Sequence, residues 1–263
     1  MAPGRLLHET FYSPALHAKR KYLVYEPPGY AAAAARGQRF PVLYLLHGSP
    51  GQPQQFMNVA GAGVVMDELV DAHKVKPFLL VMPSGEDGHF RNKHEWANTP
   101  YGRWENLVLE TAHNVDQRFA TKHGRRFRAI GGNSEGGYGA VNIGLRHPKE
   151  FSIIESWSGY LWQARQGPFK HATDAEIYAN DPEGYIPTLR AQLKRYPTHA
   201  FLYKATREPQ LVKNHALAVA LSLRAAGGHV TFSIFKGGHD WRVWRDQTPR
   251  MLVYANRWFG ARR

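Results

Sequence analysis

The stretch Phe127-Arg128-Ala129-Ile130-Gly131-Gly132-Asn133-Ser134-Glu135-Gly136-Gly137-Tyr138-Gly139-Ala140 decides how this chain is read. Phe127–Ile130 is a short apolar run of the kind that forms a buried strand. Gly132-Asn133-Ser134-Glu135-Gly136 has the form G-x-S-x-G, and Gly136, Gly137, Gly139 and Ala140 open a helix after it. A strand that turns sharply into a helix holds the central serine on strained backbone with its hydroxyl exposed. Side chains beside such a turn collide, so glycine must flank the serine. The helix N-terminus carries partial positive charge, which favours an oxyanion forming beside Ser134. The competing reading is a tight turn with an ordinary solvated serine. The strand before the motif and the helix after it weigh against that.

Outward from this stretch, further short apolar runs are bounded by turn residues: Tyr22–Tyr25, Val42–Leu46, Phe78–Met82, Ile153–Ser156, Phe201–Lys204 and Val230–Phe235. Their length and their β-branched and aromatic content predict buried strands. Helical spacing marks Trp104–Ala120, Ala140–Arg146, Leu211–Ala226 (stopped by Gly227-Gly228) and Trp241–Trp258. Alternating strands and helices predict an α/β fold with a mostly parallel sheet covered on both faces. The Pro-rich, polar region from about 160 to 198 breaks the rhythm and reads as an insertion over the C-terminal edge of the sheet. Ala31–Ala35, between Pro27-Pro28-Gly29 and Arg36-Gly37, reads as a surface loop or turn. One domain over residues 1–263 is expected at this length.

A serine nucleophile needs a base. Of 14 His, His239 in Gly237-Gly238-His239-Asp240-Trp241 stands out, because it follows the last predicted strand on a glycine-permitted turn. The chain order serine, acid, histidine then asks for a carboxylate after the penultimate strand. Glu208, three residues past Ala205, is the candidate that would orient the imidazole; Asp174, Glu176, Asp181 and Glu183 are rivals. Asp240 is expected to point away from the site. After strand Val42–Leu46 comes His47-Gly48-Ser49-Pro50-Gly51. Pro50 has no N–H, so the N–H of Ser49, paired with that of Glu135, is the expected oxyanion donor set. Trp157, Tyr160, Trp162 and Trp241 are candidate substrate-lining rings, with core packing as the plain alternative.

Composition narrows the classes. Zero Cys excludes a disulfide scaffold, a zinc ribbon, an iron–sulfur protein and a cysteine nucleophile. The serine chemistry asks for no metal and no cofactor. With 34 Lys+Arg against 21 Asp+Glu the net charge is +13, which favours anionic partners. The basic residues are scattered, so nucleic acid is not expected. The expected partner is a small-molecule or lipid ester, with contact to an anionic membrane surface as a further expectation. Met1–Arg20 lacks the apolar core of a signal peptide, and no run reaches the roughly 18 apolar residues of a membrane span. That reads as cytoplasmic, or as cell-envelope associated if a longer protein carries this piece.

These motifs resemble a family of α/β-hydrolases that includes esterase D, bacterial feruloyl esterases, enterochelin esterase and the mycobacterial mycolyltransferases. The resemblance rests on Val42-Leu43-Tyr44-Leu45-Leu46-His47-Gly48, Gly131 to Ala140, Leu145-Arg146-His147-Pro148-Lys149-Glu150-Phe151, and Gly237-Gly238-His239-Asp240-Trp241 before Trp244. It covers approximately Tyr22 to Trp258. It implies an α/β-hydrolase fold, Ser134, Glu208 and His239 as the triad, and Ser49 and Glu135 as oxyanion amides. Two positions depart from it. The family often has Gly-x-x-Asp where this chain has Ala205-Thr206-Arg207-Glu208, and its usual Met after the nucleophile is Glu135 here. Glu135 sets a carboxylate beside the turn, to repel anions or to bind a cationic group. The expected activity is serine carboxylic-ester hydrolysis. The alternatives are acyl transfer to a sugar or lipid hydroxyl, and a non-catalytic basic binding module on a hydrolase scaffold.

Overall fold

Val42–Leu46 is apolar at every position, and a strand like that is stable only where both of its faces are covered. All five residues are fully buried in the computed structural model, which describes residues 3–86 and 94–261. The strands in chain order are β1 (Arg5–Ser13), β2 (Ala18–Glu26), β3 (Val42–Leu46), β4 (Leu79–Pro83), β5 (Asn98–Thr99), β6 (Gly102–Arg103), β7 (Arg128–Asn133), β8 (Ile153–Trp157), β9 (His199–Arg207) and β10 (His229–Gly238). Eight of them form one sheet in the order β1-β2-β4-β3-β7-β8-β9-β10, while β5 and β6 make a small hairpin. From β4 to β10 every pairing is parallel, and β2 joins antiparallel to both β1 and β4. The fold is α/β, with a mostly parallel sheet.

Alternation along each strand divides the core in two. Tyr44, Ile130, Ile154 and Leu202 meet one set of helices, Trp104–Arg118, Glu135–Arg146 and Gln210–Ala225. Leu43, Leu45, Ala129, Ile153 and Tyr203 meet the other, Ala62–Asp71 and Trp241–Trp258. Trp241–Trp258 begins where the sequence predicts, because Asp240 caps it: its carboxylate accepts from the N–H groups of Arg242 and Val243 at 2.9 and 3.3 Å. Asp240 is therefore occupied away from its neighbour His239, as expected.

Several expectations need correction. Ala31–Ala35 is not a loop; Tyr30–Ala35 is a short helix after a left-handed Gly29. It is anchored by Tyr30, whose ring packs on Phe40 at 4.9 Å and whose hydroxyl accepts from the Ala120 N–H. The helix after Ser134 starts at Glu135, since its glycine-rich first turn is held by the sheet rather than by propensity. β1 has no counterpart in the sequence reading: it is an edge strand in which the exposed His8, Thr10 and Tyr12 alternate with the half-buried Leu7, Glu9 and Phe11. Helix Ala62–Asp71 and the hairpin β5–β6 were also missed. The 160–198 region leaves the C-terminal end of β8 and returns to β9 through short helices, including Asp174–Ala179 and Arg190–Arg195. Asn180 ties it down: its carbonyl accepts from Tyr138 Oη at 2.7 Å and its side chain meets Asn142 at 2.9 Å.

Candidate active site

Ser134 joins β7 to helix Glu135–Arg146 at φ 54°, ψ −119°, a conformation in which non-glycine backbone is strained. Neighbouring strands hold it there. The Ser134 N–H donates to the Trp157 carbonyl at the end of β8, at 2.8 Å. The flanking glycines are required by contact. A Cβ on Gly132 or on Gly136 would drive into the carbonyl oxygen of Leu46, the last residue of β3. The turn therefore packs backbone to backbone against the adjacent strand.

His239 comes from the loop after β10, 105 residues away, and its Nε2 lies 2.8 Å from Ser134 Oγ. Its Nδ1 is 2.6 Å from Glu208 Oε2. Glu208 Oε1 accepts the Ala205 N–H at 2.7 Å, which fixes the carboxylate against the end of β9. Burial opposes charge on Glu208, but hydrogen bonds from the His239 ring and the Ala205 N–H outweigh it and hold the carboxyl below its ordinary range. A charged Glu208 makes Nδ1 the donor, which leaves Nε2 free to accept from the serine hydroxyl. The structure thus brings Ser134, His239 and Glu208 into one hydrogen-bonded line. The rival acids lie elsewhere: Glu183 meets His215, Glu176 caps a helix through Thr173, Asp174 pairs with Arg165, and Asp181 accepts from the Gln163 N–H.

The loop after β3 reaches the same turn, with Gly48 close enough that a Cβ there would stand 3.1 Å from Ser134 Cβ. Ser49 follows it. Glu135 opens the helix, and its N–H is among the first-turn donors with no intrahelical acceptor. The Glu135 side chain is nearly buried, with Oε1 3.5 Å from His94 Nδ1. Its carboxylate faces a buried histidine instead of an open cleft.

His47 and His94 are site-shaping residues that sequence reasoning missed. His47 Nε2 accepts the Gly85 N–H at 3.0 Å, so Nδ1 carries the proton and donates to the Gly48 carbonyl at 2.9 Å. Burial pushes the His47 imidazole down to about 4. His94 Nε2 meets the Gly85 carbonyl at 2.8 Å, and Trp96 Nε1 donates to the His47 carbonyl at 2.9 Å. Two imidazoles and an indole thereby brace the loop that carries Gly48 and Ser49. The partners of His47, Gly85 and Trp96, are 38 and 49 residues distant, a pairing with no local sequence signal.

The four aromatic candidates separate. Trp157 is fully buried in the core, edge-on to Phe56, with its Nε1 on Glu155 at 3.3 Å; it does not line an open pocket. Its place at the end of β8 turns the ring toward the covering helices instead of the sheet edge. Tyr160 stacks on Tyr138 with centroids 5.3 Å apart and bonds to Glu95, whose carboxyl burial pushes up to about 7. Trp162 stacks on His215 at 5.6 Å. Trp241 is partly exposed, edge-on to Trp244 at 5.1 Å, and Trp244 is edge-on to His239 at 5.2 Å. Among the described residues no group of three or more His, Asp or Glu is placed to hold a metal ion.

A family model described as "Putative esterase" matches residues 13–255. Over 158 residues, 59% of the chain, the sequence is 34% identical to an endo-1,4-beta-xylanase/feruloyl esterase of Xylanibacter ruminicola, of which it spans only 22%. It is 27% identical over 223 residues to an acetyl esterase of Caldicellulosiruptor saccharolyticus, covering 77% of this chain and 78% of that one. Among solved structures, a ferulic acid esterase matches with a TM-score of 0.86 at 23% identity, covering 98% of this chain and 99% of the other. A substrate-bound, fluorophosphonate-binding serine hydrolase of Staphylococcus aureus matches with a TM-score of 0.80 at 18% identity, covering 97% and 99%. At those identities the structural likeness is one of fold.

Proposed function

Since the chain belongs to this esterase family of α/β-hydrolases, we propose that it hydrolyses small-molecule carboxylic esters through an acyl-enzyme on Ser134. The observation that carries the reading is the line Glu208–His239–Ser134, with contacts of 2.6 and 2.8 Å, ending on a hydroxyl held at strained backbone. In this reading His239 Nε2 takes the Ser134 proton as Oγ attacks the ester carbonyl. Glu208 stabilises the imidazolium that forms. The oxyanion is held by the N–H groups of Glu135 and Ser49. His239 then gives its proton to the departing alcohol, and water, activated by the same imidazole, releases the acid.

Relatives named feruloyl esterase and acetyl esterase direct the first substrates toward feruloyl and acetyl esters. The relatives named above carry hydrolase names, so water is the acceptor of choice over a sugar or lipid hydroxyl. The non-catalytic reading is disfavoured by a complete hydrogen-bonded line. Turnover of p-nitrophenyl acetate and a feruloyl ester by wild type and by Ser134→Ala tests the proposal. Removing the nucleophile is expected to lower kcat by roughly three to six orders of magnitude and to abolish labelling by a fluorophosphonate probe. A variant that keeps wild-type turnover overturns it.

A further inference from the structure

The turn that follows β8 touches both ends of the hydrogen-bonded line. The carbonyl of Trp157, the last residue of β8, accepts the Ser134 N–H at 2.8 Å. The next residue, Ser158, sends its N–H to the Tyr203 carbonyl on β9 at 3.0 Å. Gly159 then packs its backbone on the first turn of the helix after Ser134, where a Cβ on Gly159 would stand 2.8 Å from the Gly137 carbonyl carbon. Ser158 itself is fully buried at φ 58°, left-handed backbone that is strained for any residue with a Cβ. Such strain persists only where the surroundings over-determine it.

The Glu208 side chain is wholly shielded from solvent, so the lone pairs of its charged carboxylate must be met by protein donors. The Ala205 N–H meets Oε1 at 2.7 Å, and His239 Nδ1 meets Oε2 at 2.6 Å. A carboxylate offers about four lone-pair directions, so two bonds leave room for a further donor. The Ser158 hydroxyl reaches this carboxylate and favours its charged form together with the other two donors. It has no other partner among the described residues. The contact lies off the ideal line in this structure, and hydrogen bonds around catalytic groups commonly tighten when charge develops on the base. Tyr203 also approaches Glu208, but its hydroxyl exchanges no hydrogen bond with it.

We propose that Ser158 is a positioning residue for the ester hydrolysis: its hydroxyl is the third donor to Glu208 and fixes that carboxylate against the His239 ring while the imidazolium forms. The inference rests on the Ser134–His239–Glu208 reading above. Ser158 transfers no group and acts only through Glu208. A carboxylate gripped from one more side turns less, so Nδ1 stays bonded and Nε2 stays aimed at Ser134 Oγ.

The test compares wild type with Ser158→Ala, which removes only the hydroxyl, and with Ser158→Gly, which also relieves the backbone strain. Tyr203→Phe is the control, deleting a neighbouring buried hydroxyl that makes no bond to Glu208. Two readouts are followed, turnover of p-nitrophenyl acetate and the low-field proton resonance of the His239 Nδ1–H. In both Ser158 variants kcat is expected to fall about tenfold, the scale of one charge-assisted hydrogen bond, with KM little changed and the His239 resonance displaced. Tyr203→Phe is expected to move neither. In a Glu208→Ala background Ser158→Ala is expected to lower kcat no further, because the acceptor is gone. The proposal is overturned if the Ser158 variants keep wild-type kcat or leave the His239 resonance unmoved, if Ser158→Ala costs as much without Glu208 as with it, or if Tyr203→Phe reproduces the loss. Full turnover by Ser134→Ala would instead remove the triad reading itself, and this proposal with it.

Discussion

Ser134, Glu208 and His239 were nominated from the linear sequence because each sits where a particular strand ends, and strand ends in a parallel sheet converge on one edge. The acid was the least local of the three choices. Several carboxylates satisfied the chain order, and only the contacts separate Glu208 from Asp174, Glu176, Asp181 and Glu183. His47 shows what is illegible at this scale: nothing beside it announces that its ring nitrogens will bridge Gly48 and Gly85. Its burial has a consequence for pH. The folded-state pKa values of His47 and His199, each about 4, lie below the ordinary histidine value of 6.5. Between those limits the unfolded chain binds protons that the folded chain does not, so stability falls as pH falls from about 6.5 to 4. Urea unfolding across that range is expected to show this slope. His47→Gln and His199→Gln should each remove about one proton's share of it.

Elements hold the site through their junctions. The glycines around Ser134 read as a turn signal in the sequence, and the reason for two of them is the Leu46 carbonyl on the neighbouring strand. Gly136→Ala places a methyl against that backbone, which cannot yield as a flexible side chain would. A stability loss of about 1–3 kcal/mol is expected from such overpacking, together with a fall in kcat larger than any change in KM, because the serine itself is displaced. Thermal unfolding and ester kinetics read the two effects separately. The helix Trp241–Trp258 begins two residues after the base, under the Asp240 cap. Asp240→Ala is expected to cost about 1 kcal/mol and to reduce kcat modestly by loosening the backbone that carries His239. Ala31–Ala35 reads as a turn in the sequence because the six residues of Tyr30–Ala35 are too few for a helix to announce itself by periodicity, and the Tyr30 anchor made it one.

Across the whole molecule, the net charge of +13 acts on encounter rather than on fold. An anionic ester is expected to show a kcat/KM that falls as salt rises from about 0.01 to 0.5 M, while a neutral ester of the same acyl group stays nearly constant, since the Debye length shrinks over that range. Steady-state kinetics with both esters provide the measurement. The short runs Val42–Leu46, Phe127–Ile130 (of which Arg128–Ile130 are buried in β7) and Ile153–Ser156 by themselves determined a parallel, doubly covered sheet, because continuous apolar strands have no other stable home. The order of the motifs along the chain likewise determined which strand ends carry the serine, the imidazole and a carboxylate. The edge strand β1, the burial of Trp157, the inward turn of Glu135 toward His94 and the placing of Ser158 against Glu208 were decided only by tertiary packing. Each depends on residues far apart in the chain meeting at a distance that local pattern does not encode.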